Sequence, residues 1–284
     1  MEKTSTLDII IESFRCSHQR RKFFFFGFLL ALPPATLLLL QRVYDITTGT
    51  ALLEHILQFP MLSCFFLLWY GASVLFGKSH LIVLLEAHKK KSSPKKLFLP
   101  LPSFTKALSI DALFITGLLV ITFIVSLPPL VASFFGNTTL APLVLLSQLT
   151  LLPIFFIGYL LREFTYFYTF LSPLTLKSSL ETGANLFLRQ KASCLFFEVH
   201  FILLNLLFTF LFNLVMLSIV ALSQTVLPLA TELFFFLVTL VLLSWFEIFK
   251  QALWFHFFES IARPKKPASD IPQTLKGEVE MPGV

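Results

Sequence analysis

The chain has 284 residues, 56% of them hydrophobic and 13% charged, and phenylalanine alone occurs 36 times. An average soluble domain is about 25% charged, and one of this length cannot hide so much apolar surface, so composition points to a polytopic membrane protein. It excludes a disordered chain, a disulfide scaffold, a coiled coil and a collagen-like fibre.

Net charge is +6, and the cations lie in blocks beside apolar runs. That arrangement favours anionic lipid headgroups over nucleic acid as the acidic partner. Cys16, Cys64 and Cys194 are far apart and form no C-x-x-C spacing, which argues against a disulfide framework or a zinc site.

An amphipathic segment at 5–22 opens the chain. Six apolar runs follow, at 23–40, 56–76, 112–135, 140–161, 194–222 and 229–249, against the about 20 helical residues that a hydrocarbon core requires. The first run follows Arg20, Arg21 and Lys22. It stays apolar beyond the about 7–15 residues of a signal-peptide core, so it reads as a spanning helix with a basic anchor. Pro33-Pro34 and Pro128-Pro129, with Pro60 and Pro153, are expected to bend helices. The tail, 263–284, holds four prolines and few apolar residues and is expected to be a disordered cytoplasmic segment.

The distribution of cations sets the expected orientation. The chain has 22 Lys and Arg, and all but Arg42 fall before the first run, in the loops 78–106 and 162–191, or from Lys250 onward. Cations are retained on the cytoplasmic face, so both termini are expected there. The opposite loops, 41–55, 136–139 and 223–228, leave no room for a folded domain.

The expected fold is all-α. It comprises six transmembrane helices as three consecutive hairpins, with cytoplasmic amphipathic helices, in one membrane domain spanning 1–262. Leu7-Asp8-Ile9-Ile10-Ile11-Glu12-Ser13 parallels Leu176-Lys177-Ser178-Ser179-Leu180-Glu181-Thr182. Ser103-Phe104-Thr105-Lys106-Ala107-Leu108 opens the middle unit more weakly. Each even-numbered span passes a basic residue (Lys78, Arg162, Lys250) into helix-compatible sequence that stops near Pro94, Pro173 or Pro264. Before the fifth span, Leu176, Leu180, Ala184, Phe187 and Leu188 recur at helical spacing. Such a helix lies either in the inner interface or packed under the bundle.

With its basic amphipathic N-terminus, six spans and the Leu176, Leu180, Ala184, Phe187 segment, the chain resembles a loose group of six-helix bacterial inner-membrane proteins. That group includes the membrane domain of some glycerophosphodiester phosphodiesterases. The resemblance implies fold and location; the phosphodiesterase domain has no counterpart here, and no activity is implied.

Polar groups inside apolar runs are candidate sites, because in lipid they face a neighbour or a cavity. Glu198, Asn205, Thr209 and Asn213 are spaced by 7, 4 and 4 residues and fall within about 80° on a helix. Gln148 is a candidate partner from the fourth span. This stripe is either a polar path or a set of interhelical hydrogen bonds. At the end of the sixth span, Glu247 and Lys250 are placed to pair, Trp254 suits the headgroup level, and His256 with Glu259 is too sparse for a metal site. Asp111 reads as a favourable charge at a helix N-terminus.

No catalytic, cofactor or metal residue is assigned, because the phosphate-loop, zinc-protease, nucleophile-elbow and dinucleotide motifs are all missing from the sequence. The expected function is non-catalytic: organising lipids or partner membrane proteins. Lys89, Lys90, Lys91, Lys95, Lys96, Arg20, Arg21 and Lys22 are the candidate headgroup contacts. The rival reading is a transporter or permease component with a path along the fifth span. A third, a membrane enzyme acting on lipids, would depend on Glu198 or His256.

Overall fold

The structure, a computed structural model, describes residues 6–18, 21–43, 60–90, 101–134, 141–172, 174–223 and 228–262. Every regular element in these segments is helical. In chain order the helices are α1 (Thr6–His18), α2 (Arg21–Val43), α3 (Pro60–Lys89), α4 (Leu101–Phe134), α5 (Ala141–Leu171), α6 (Leu176–Arg189), α7 (Lys191–Ser223) and α8 (Pro228–Ala262). Residues 44–59, 91–100, 135–140 and 224–227 and the expected tail, 263–284, lie outside the described residues, as does the side chain of Cys64.

Among the described residues, four stretches are long and apolar enough to cross a membrane: Thr105–Pro128, Leu149–Leu171, Lys191–Ile219 and Glu232–Ala262. Phe23–Leu39 is a shorter apolar helix. The second apolar run falls on α3, and most of its side chains lie outside the described residues. The long helices continue well past the apolar runs: α3 runs through Lys78 to Lys89, α5 through Arg162 to Leu171, and α8 through Lys250 to Ala262.

Neighbouring long helices meet head to tail. Phe23 of α2 meets His88 near the end of α3, and Phe26 stacks on His80 at 4.8 Å. Tyr166 of α5 donates to the Ala107 carbonyl near the start of α4 (3.3 Å). In α7 and α8, Phe197 stacks on Phe257 (3.8 Å) and Phe208 on Phe246 (3.6 Å), and Met216 lies beside Thr239.

Small residues set the closest packing. On α2, Gly27, Ala31 and Ala35 recur every four residues on one buried face. A Cβ at Gly27 would lie 2.6 Å from both the Ser244 carbonyl oxygen and Ile248 Cγ1 of α8. This small-xxx-small pattern lets two backbones approach closely. On α6, Ser179 and Gly183 do the same against α5, where a Cβ at Gly183 would lie 3.2 Å from Phe164 Cβ. The helix is capped by Thr175, whose hydroxyl accepts from the Ser178 N–H (3.3 Å). It therefore packs against the bundle through small side chains, while Leu176, Leu180, Ala184 and Phe187 are only partly buried and Leu188 is exposed. Helix α1 buries Ile9, Ser13 and Cys16 and leaves Leu7, Ile11 and Phe14 exposed.

Replacing Gly27 with Ala is expected to cost about 1–3 kcal/mol, the usual penalty for overpacking. Gly71, where an added Cβ meets nothing within 4 Å, is the control: Gly71→Ala should shift stability by less than about 0.5 kcal/mol or raise it slightly. An SDS titration of both variants in mixed micelles checks the difference.

Candidate functional site

Charged side chains just beyond the apolar runs of successive antiparallel helices arrive at one level, and the structure brings them into contact. Lys78 Nζ of α3 lies 2.5 Å from Glu163 Oε1 of α5, with the two side chains 4% and 1% exposed. Arg162 Nε of α5 donates to Asp111 Oδ1 of α4 at 2.6 Å, and its second arm reaches Glu163 Oε1 at 3.5 Å. Two cations and two anions thus form one neutral group joining three helices. Tyr166 closes it: Lys78 Nζ sits 4.2 Å and the Arg162 guanidinium 5.4 Å from its ring centre.

This quartet forms one wall of a cavity of about 770 Å³. Lys250 and Glu247 of α8, paired at 2.5 Å, supply a further wall. Leu30, Leu75, Leu108 and Ile115 supply an apolar side, and Tyr159 and Trp254 are its aromatic residues. The cavity therefore carries three cations and three anions beside an aliphatic surface. Three of its lining side chains keep a polar atom with no hydrogen-bond partner among the described residues: Glu163 Oε2, Gln251 Oε1 and Trp254 Nε1. All three residues are at least nine-tenths buried.

Several expectations change. Asp111 is not at a helix N-terminus, because α4 begins at Leu101 and continues unbroken through it; it is an ion-pair partner of Arg162 instead. Trp254 is fully buried rather than at an interface, packed edge-on against Phe197 (4.9 Å) and Phe201 (5.4 Å). The stripe on α7 is unevenly placed among the described residues. Glu198 is buried, but Thr209 and Asn213 are exposed, and the amide of Asn205 donates back to the Phe201 carbonyl (2.7 Å). Thr209 likewise donates to the Asn205 carbonyl (2.8 Å), the local back-bonding typical of such residues in helices. The side chain of Gln148 lies outside the described residues.

The Glu247–Lys250 pair forms as its spacing suggests. Glu259 pairs with Lys89 (2.5 Å), and His256 Nδ1 lies 4.0 Å from Glu12 Oε2. Lys89 and Lys90 are exposed, and Lys90 also pairs with Glu86 at 2.5 Å. The side chains of Lys91, Lys95, Lys96, Arg20, Arg21 and Lys22 lie outside the described residues.

Glu163, Gln251 and Tyr159 were not singled out by sequence. The available signal was the doublet Arg162-Glu163: an acid beside the exit cation has to face inward or pair, and Lys78 occupies the corresponding place one hairpin earlier. No protein-family model, curated protein or solved structure matches the chain, so the reading of this cavity rests on its residues.

Breaking a buried ion pair by removing one partner costs about 3–5 kcal/mol. Glu163→Gln is therefore expected to destabilise the protein by that order. Adding Lys78→Met should recover at least half, since it removes the stranded cation. Unfolding midpoints of the single and double variants check the sign of this coupling.

Proposed function

We propose that the chain is a non-catalytic, six-span component of a transporter or permease of a bacterial-type inner membrane, with both termini cytoplasmic. In this reading its ligand site is the charged cavity among α2, α3, α4, α5 and α8. The cation distribution supports the orientation, and the head-to-tail contacts support three hairpins. The observation that carries the functional reading is the meeting of six charged side chains and an aliphatic wall in one cavity. Packing alone favours apolar residues at such a place, because ion pairs taken out of water seldom improve stability over well-packed hydrophobic side chains. Ionisable groups kept within a membrane bundle mark ligand pathways.

The transport route is thereby moved from the fifth-span stripe to this cavity, and thiol labelling separates the two. In a chain whose native cysteines are replaced, Gly71→Cys should react with a membrane-impermeant thiol reagent supplied from the cytoplasmic side. Asn213→Cys on α7 should not. Labelling of Asn213→Cys and silence at Gly71→Cys would return the route to the stripe and end the cavity reading.

A second reading, lipid organisation through the basic face, is favoured by the exposure of Lys89 and Lys90 and by the apolar edge of α1 at Leu7, Ile11 and Phe14. Near an anionic surface each such cation contributes about 1 kcal/mol. Neutralising Lys89, Lys90, Lys91, Lys95 and Lys96 together with glutamine should at least halve the anionic lipid that co-purifies with the protein. An unchanged lipid complement would remove this reading.

A further inference from the structure

Two residues of the α7 stripe belong to a longer pattern. Leu195, Val199, Ile202, Leu206, Thr209 and Asn213 are spaced by 4, 3, 4, 3 and 4 residues, and all of them are exposed. That alternation is the seam of a left-handed helix pair, whose side chains interlock as knobs into holes. Most helix pairs in membranes have this hand. The seam falls within about 80° on the helix. Phe197, Phe201 and Phe208 pack against Phe257, Trp254 and Phe246 of α8; they point about 120–160° away from the centre of the seam. The seam is therefore a different face from the one that α8 covers. It ends at Asn213, because the next position in the pattern, Met216, is buried beside Thr239 of α8.

Apolar side chains are exposed all round α7, so greasiness does not select this face; its polar residues do. Thr209 and Asn213 lie inside the apolar span Lys191–Ile219. Thr209 donates to its own helix, but the Asn213 side chain has no hydrogen-bond partner among the described residues. Hydrocarbon offers an amide no water to bond, and in membranes such side chains bond across helices. A carboxamide both donates and accepts, so it is complementary to itself. Copies of one chain insert the same way, which puts Asn213 of each at one depth. A two-fold axis along the membrane normal then makes the contact isologous.

We infer that this face of α7 pairs with the same face of a second copy of the chain, with the two helices parallel. The Asn213 amide of each copy donates to the carbonyl oxygen of the other. A single Asn in such a seam specifies register and the number of partners. The pairing does not depend on the cavity, none of whose lining residues comes from α7.

Two measurements on the full-length protein test it. In cell membranes, single cysteines are introduced into a chain whose own cysteines are replaced with alanine, and the membranes are oxidised. Ile202→Cys, Leu206→Cys and Thr209→Cys should each give a product of twice the chain mass. Leu207→Cys and Leu211→Cys, exposed on another side of the helix, should not. In liposomes, energy transfer between donor- and acceptor-labelled copies should fall as lipid dilutes the pairs. Asn213→Leu is expected to shift that dissociation about tenfold, the size of two interhelical hydrogen bonds. Asn213→Gln keeps the amide and should shift it less than about threefold. Both variants change an exposed position, and unchanged unfolding midpoints in SDS should show them folded. Cross-linking at Leu207→Cys and Leu211→Cys instead of the seam, or at none of these positions, overturns the assignment. A seam product of any other mass also overturns it, by making the occupant a different membrane protein. Absence of energy transfer at every dilution overturns it and leaves the face to lipid. Dissociation unaffected by Asn213→Leu overturns it as well, because the amide then has no part in pairing.

Discussion

A cation removed from water must have an anion beside it, and this constraint fixes the centre of the molecule. Lys78, Arg162, Glu163 and Asp111 come from three helices, and the closest pairs, Lys78–Glu163 and Arg162–Asp111, each join two of them. Sliding α3 past α5 by one turn, about 5.4 Å, would separate Lys78 from Glu163 and leave the Lys78 charge without its partner. The penalty is several kcal/mol per ion, far more than one aliphatic contact contributes. The quartet thus acts as a register pin for a bundle whose other surfaces are nearly interchangeable.

That interchangeability is a property of the sequence. Only 6% of the apolar window of α4, and of that of α7, is buried inside the molecule. Leucine and phenylalanine surround these helices on all sides, so hydrophobicity does not select a packing face. The selection comes from shape. Gly27, Ala31 and Ala35 present a flat strip that brings α2 against α8, and Ser179 and Gly183 bring α6 against α5. Along α7, single aromatic residues interlock with α8 from Phe197–Phe257 to Phe208–Phe246. Shape and charge carry specificity because greasiness carries none.

The same distinction explains what was legible in the sequence. Helix class, the long apolar stretches and the continuation of helices past Lys78, Arg162 and Lys250 follow from local periodicity and from where proline occurs. The Glu247–Lys250 pair was legible because both partners sit on one helix. The Asp111–Arg162 and Lys78–Glu163 pairs were not, since their members are 51 and 85 residues apart and helix spacing says nothing across a loop. Asp111 was misassigned because the apolar run begins after it while the helix begins at Leu101. Hydropathy marks where a helix becomes apolar, whereas capping and proline mark where it starts.

The α7 stripe is a related case. Periodicity places Asn205, Thr209 and Asn213 on one face but does not say what that face meets; Asn205 is partly buried, and Thr209 and Asn213 are exposed. Their hydrogen-bonding capacity is partly spent on their own helix, as Asn205 and Thr209 show by returning to carbonyls four residues back. Glu163, Gln251 and Trp254 differ physically. Their side chains are enclosed, and each retains one polar atom with no hydrogen-bond partner among the described residues, as does Glu198 of the stripe itself. Six charged side chains meet in the cavity and only one lies on the stripe, and for that reason the proposed ligand site is placed in the cavity.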